Sequence, residues 1–129
     1  MIVLDSHIWY WWINQEHQRL SSGMMEAIET ADRVGVSSVS CFELALAHHR
    51  GRLELPMPRN EWFALALQGS DIECLPLDER IAQKAVNLTE VHRDPFDRII
   101  IATALHLDAR LASVDGHFAA YPELAGILL

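Results

Sequence analysis

Along the 129-residue chain, short apolar runs alternate with stretches in which apolar residues recur every three or four positions. The runs Ile2–Leu4, Arg33–Ser37, Ile72–Leu77 and Ala109–Val114 read as strands, and Pro76 predicts an irregular end to the third. Leu20–Ala31 places Leu20, Met24, Ala27, Ile28 and Ala31 on one helical face, with Glu26 and Glu29 outward and Gly23 weakening the pattern. Ser6 is placed to cap a helix carrying Trp9, Trp11 and Trp12, which cannot all face one way. Ser38–Arg50 is predicted helical, with Ser40-x-x-Glu43 spaced as a capping box and Gly51 as the stop. Asn60–Leu67 follows with Asn60 as its cap, and Asp78 caps a helix through Leu88 with Ile81, Ala82, Ala85 and Leu88 inward.

The segment His92–Ala104, HRDPFDRIIIATA, organises the rest. Asp94 can cap, Pro95 suits the first helical position, and Ile99–Leu107 is apolar apart from Thr103 and His106. A buried helix is therefore expected, with Asp97 in its first turn. Gly126–Leu129 is a candidate last edge strand. Strands alternating with helices predict an α/β sandwich with a mainly parallel sheet.

Composition narrows the class. Half of the residues are hydrophobic, enough for one domain with a real core. No apolar run is long enough to span a membrane, and the MIVLDSH start does not resemble a signal peptide, so a cytoplasmic protein is expected. Cys41 and Cys74 lie in apolar surroundings and read as reduced core residues. The formal charge is −8, and Lys84 is the only lysine. That balance opposes non-specific binding to nucleic acid.

The acids fall at equivalent places. Asp5 and Asp115 each follow a predicted strand, while Glu43 and Asp97 are read into the first turns of helices. In a parallel α/β sheet these positions share one edge, where ligands bind. Asp97 follows no predicted strand, so its place there is an inference. Taken singly, each has a bland explanation: Glu43 and Asp97 as caps, Asp115 as the start of a turn with Gly116. If they converge, like charges repel, and a bound cation keeps them ionised. Carboxylates and water suit Mg²⁺ or Mn²⁺, which can activate water and stabilise an in-line displacement at phosphorus. Arg50, Arg52, Arg93 and Arg98 are candidates to meet the remaining charge of an RNA.

With those residues in place the chain resembles PIN-domain ribonucleases, most closely toxins of the VapBC toxin–antitoxin type. LDSH at 4–7, SSVSCFELA at 37–45, HRDPFDRIIIATA at 92–104 and LASVD at 111–115 carry the resemblance, in order and spacing. It spans the whole chain and implies one PIN domain over residues 1–129, a three-layer α/β/α sandwich. It further implies Asp5, Glu43, Asp97 and Asp115 around Mg²⁺ or Mn²⁺, with Asp94, Ser6 and Arg98 as accessory or substrate-binding residues. Cleavage of RNA, often tRNA or rRNA, a homodimer, and neutralisation by a cognate VapB-type antitoxin follow from the same resemblance.

Other readings fare less well. His48 and His49 are adjacent, and no zinc spacing occurs. His7 and His117, each two residues past a proposed ligand, read as ordinary surface histidines. No P-loop, G-x-S-x-G or GxGxxG is present. Two alternatives remain: a phosphatase-like phosphohydrolase, which would want a lysine near the site, and a non-catalytic protein-binding module in which the acids are only caps.

Overall fold

The computed structural model describes residues 1–129. Four strands, β1 (Ile2–Leu4), β2 (Val34–Ser37), β3 (Ile72–Leu75) and β4 (Arg110–Ala112), form one sheet in the order β3-β2-β1-β4. Every pairing is parallel, with Ile2 opposite both Val34 and Arg110. The central strand β1 is only three residues long and wholly buried. Its side chains alternate faces: Ile2 and Leu4 join one apolar cluster, Val3 the other.

Six α-helices connect and cover the strands. They are α1 (Ser6–Ile13), α2 (Ser22–Thr30), α3 (Ser38–His49), α4 (Arg59–Ala66), α5 (Glu79–Asn87) and α6 (Pro95–His106). On one face Trp9 of α1, Met24 and Ile28 of α2, Leu44 of α3 and Trp62 of α4 pack on Ile2, Leu4 and Val36. On the other, Ile100, Ile101 and Ala104 of α6 meet Val3, Leu75 and Leu111. The result is a three-layer α/β/α sandwich. Gly35 in β2 is dictated by the second face: a Cβ there would stand 2.7 Å from Leu75 Cδ1.

Several local expectations are corrected. Asp5, not Ser6, caps α1, because its carboxylate reaches the Ser6 N–H. Ser37 caps α3, so Ser40 and Glu43 form no capping box and Glu43 stands in the second turn. Pro58, with no side-chain bond, precedes α4, and Asn60 is already inside it. The third strand stops at Leu75, before Pro76. β4 stops at Ala112, and the Ser113 hydroxyl just beyond it donates to Asp5. The last residues form a single bridge, Leu111 to Leu128, rather than a strand. Cys41 is half-buried and Cys74 exposed, with their sulfurs 3.9 Å apart, so neither is a core residue. Asp78 and Asp94 cap α5 and α6 as expected, and Gly51, at φ +71°, ends α3.

Arg98 is the largest departure. It is 8% exposed, and its guanidinium donates to the carbonyls of Val86, Leu88, Thr89 and His92 and to the Tyr121 hydroxyl. These bonds tie the loop after α5 to α6. The guanidinium is thus engaged within the fold, and Arg98 does not line the acidic cavity around Asp5 and Asp97. Removing Arg98 takes a donor from four carbonyls, of which Thr89 keeps the Val91 N–H. Arg98→Ala is therefore expected to lower unfolding stability by about 3 kcal/mol, read by chemical denaturation.

Candidate active site

The C-terminal ends of β1 and β4 and the N-terminal ends of α1 and α6 meet at one edge of the sheet. A cavity of about 370 Å³ opens there, lined by Asp5, His7, Trp11, Glu43, Asp94, Asp97, Val114 and Asp115. All four acids singled out in the sequence therefore face one space, together with Asp94. Ser6 lies beneath it, buried.

Each carboxylate is held by neighbours. Asp5 accepts the Ser6 N–H at 2.8 Å through one oxygen and the Ser113 hydroxyl at 2.8 Å through the other. Glu43 Oε1 lies 2.6 Å from the Ser6 hydroxyl, which is also 2.8 Å from the Ser40 hydroxyl. Asp97 Oδ2 lies 3.0 Å from His92 Nε2. Asp115 Oδ1 accepts the His117 N–H at 2.8 Å and faces His117 Nδ1 at 3.0 Å. Asp94 accepts the N–H groups of Phe96 and Asp97, as a helix cap does. Capping thus accounts for Asp94 and for half of Asp5. It does not account for Glu43 or Asp97, whose carboxylates bond the Ser6 hydroxyl and the His92 ring instead of a helix-end N–H.

The electrostatics follow from the crowding. Burial pushes the Asp97 carboxyl up to about 7, and the charges of Asp5, Asp94 and Asp115 add to that against the His92 bond. Burial likewise raises Asp5 and Glu43 above the ordinary carboxylate range. For Asp115, burial acts upward, but the His117 bonds outweigh it and the group is held low. The donors are all anionic oxygens, the chemistry that a hard divalent cation prefers. As the side chains stand, no three meet closely enough to hold one ion. It is the donor chemistry and shared cavity that fit a cation, while Ser6, Ser113, His92 and His117 occupy the carboxylates.

The model of the PIN domain family matches residues 2–124. The chain belongs to the PIN-domain family. This PIN domain is 37% identical to Ribonuclease VapC22 of Mycobacterium tuberculosis over 115 residues, 88% of this chain and 86% of that one. Its fold resembles VapBC2 of Rickettsia felis bound to a promoter DNA fragment (TM-score 0.72, 18% identity, 100% and 98% of the two chains). It also resembles a toxin–antitoxin complex of Klebsiella pneumoniae (TM-score 0.63, 19% identity, 100% and 96%). The structure of FitAcB from Neisseria gonorrhoeae is similar as well (TM-score 0.62, 18% identity, 100% and 96%).

His92, Ser113 and Tyr121 were not singled out in the sequence, although His92 and Ser113 lie inside the quoted motifs. His92 stands two residues before the cap Asp94, and only the folding back of its loop brings it to Asp97. His117 proves to be a partner of Asp115, and His7 lines the cavity. Arg98 does not line it.

The raised Asp97 carboxyl fixes a sign. A folded-state value near 7, against 3.8 for the free group, means that the native PIN domain holds the proton more tightly than the unfolded chain. That stabilisation is complete below about pH 4 and is lost as pH rises through 7. In chelator, the melting temperature should fall between pH 5 and 8. Asp97→Asn should flatten the decline and be the more stable protein at pH 8, by on the order of 2 kcal/mol. Parallel pH profiles for the two proteins would contradict this.

Proposed function

We propose that this PIN domain is a divalent-metal-dependent endoribonuclease, the toxin of a type II toxin–antitoxin pair. The observation that carries the proposal is the shared cavity of Asp5, Glu43, Asp97 and Asp115 at the C-terminal edge of a parallel sheet. The 37% identity to a ribonuclease toxin supports the reaction class. The toxin–antitoxin complexes among its structural relatives support an antitoxin protein as partner. The family relation extends the proposal to a homodimer acting on tRNA or rRNA in the cytoplasm.

Asp5, Asp97, Glu43 and Asp115 would hold the cation, Mg²⁺ or Mn²⁺. When bound it supplies charge neutralisation and Lewis acidity toward a phosphodiester and an attacking water. The chain's own residues do the rest. Ser113 fixes one Asp5 oxygen, and Ser6 holds Glu43 toward Asp5 across the gap between α1 and α3. At the N-terminal ends of α1 and α6 the Ser6 N–H donates to Asp5 and the Phe96 and Asp97 N–H groups donate to Asp94, which tempers the mutual repulsion of the acids. No side chain lining the cavity is a serine, cysteine or lysine, so the arrangement suits attack by water rather than by a protein nucleophile. Arg50, Arg52 and Arg93 are exposed and free to meet phosphates outside the cavity.

The two competing readings do less well. The lysine a phosphatase-like site would want is missing from the cavity lining; Lys84 is exposed on α5. A module whose acids are only caps leaves Glu43 and Asp97 unexplained.

RNA cleavage in Mg²⁺ should fall at least about a hundredfold in Asp5→Asn and in Asp97→Asn, and chelator should abolish it in the parent protein. Cleavage that survives both substitutions would refute the assignment.

A further inference from the structure

Behind the acidic cavity a line of polar groups runs from the core to Asp97. Arg98 Nη1 stands 3.2 Å from the Tyr121 hydroxyl, that hydroxyl 2.6 Å from His92 Nδ1, and His92 Nε2 3.0 Å from Asp97 Oδ2. Tyr121 is 2% exposed and Arg98 8%. The direction of the bonds follows from what each group can do. A guanidinium only donates, so the tyrosine oxygen accepts from Arg98. The hydroxyl proton then has one acceptor in reach, His92 Nδ1. The ring proton therefore sits on Nε2, facing Asp97 Oδ2. The opposite tautomer would set an Nδ1–H against the hydroxyl and strand the hydroxyl proton.

We propose that His92 is a positioning residue for Asp97, with its ring aimed by Tyr121 and Arg98 from the core. The inference rests on the proposed metal site and adds to it the device that fixes one ligand. Metal-ligating groups are commonly oriented by such outer partners, whose loss weakens binding roughly ten- to a hundredfold. A second observation points the same way. The His92 ring stacks on that of His117, with centroids 4.7 Å apart and planes at 14°. His117 in turn faces Asp115. One stacked pair of imidazoles thus spans two of the acids, from α6 and from the segment after β4, and sets them relative to each other. Neither ring needs to change charge for this.

The test is calorimetric titration of the full chain with Mn²⁺, alongside thermal unfolding in chelator. Parent protein, Tyr121→Phe, His92→Phe and His92→Gln are compared. Tyr121→Phe deletes one oxygen outside the cavity lining. His92→Gln keeps an N–H donor near the place of Nε2. The parent should bind Mn²⁺ saturably. His92→Phe should weaken binding about tenfold or more, Tyr121→Phe severalfold, and His92→Gln should recover most of the loss. A purely structural role would lower the melting temperature of Tyr121→Phe and leave its Kd unchanged, and that result overturns the proposal. If His92→Phe does not fold, Tyr121→Phe and His92→Gln decide between the same outcomes. Parent protein that binds no Mn²⁺ overturns the metal site itself, and this inference with it. Parent protein that binds while every variant matches it within about twofold overturns only this inference.

Discussion

Repulsion among carboxylates pressed together in a partly dry cavity is the constraint on which this structure turns. Asp5, Glu43, Asp97 and Asp115 share one space with Asp94 and no arginine or lysine to balance them. Such crowding opposes folding: burial raises the Asp5, Glu43 and Asp97 carboxyls most, and the charges of their acidic neighbours add to it. The fold offsets part of it locally. Two helix N-termini point at the cluster, and Ser6, Ser113, His92 and His117 each hold one member. The offset is incomplete, and a divalent cation is the natural completion.

The scaffold that tolerates this is conventional. Two apolar clusters sandwich a parallel sheet whose wholly buried strand β1 delivers Asp5. The helix α6 faces both ways in its use: Ile100, Ile101 and Ala104 are core, while Asp97 one turn earlier reaches the cavity. Arg98, next to it, points the other way and ties the loop after α5 in place. Adjacent residues on a helix diverge by about 100°, so one sequence step separates the chemistry from the fastening. Relatives at 18% identity keep the same fold because the pattern of buried positions, not the particular residues, defines it.

How much of this the sequence disclosed depends on range. The strands, the caps Asp78 and Asp94 and the buried helix after Pro95 follow from local spacing and were legible. A shared edge for Asp5 and Asp115 was legible because strand ends meet there in any parallel sheet, whereas Asp97 joined them by inference and Glu43 stands a turn further into its helix than its spacing suggested. The errors share one cause. Ser40 and Glu43 match a capping box in spacing, but the helix begins earlier, and both side chains serve Ser6, more than thirty positions away. Arg98 looked like a phosphate contact because its partners are backbone carbonyls, which no sequence displays. His92 and Tyr121 are 29 residues apart and meet only when the chain end folds back. The cysteines read as core from apolar neighbours in sequence, whereas Cys74 sits exposed on the edge strand β3.

The account stands on Asp5 and Asp97 sharing one cation. Its most direct test is a crystal grown with Mn²⁺ and measured for anomalous scattering. The account predicts one strong peak in the acidic cavity, about 2.2 Å from an oxygen of each carboxylate. A peak elsewhere, or none at saturating Mn²⁺, would contradict it.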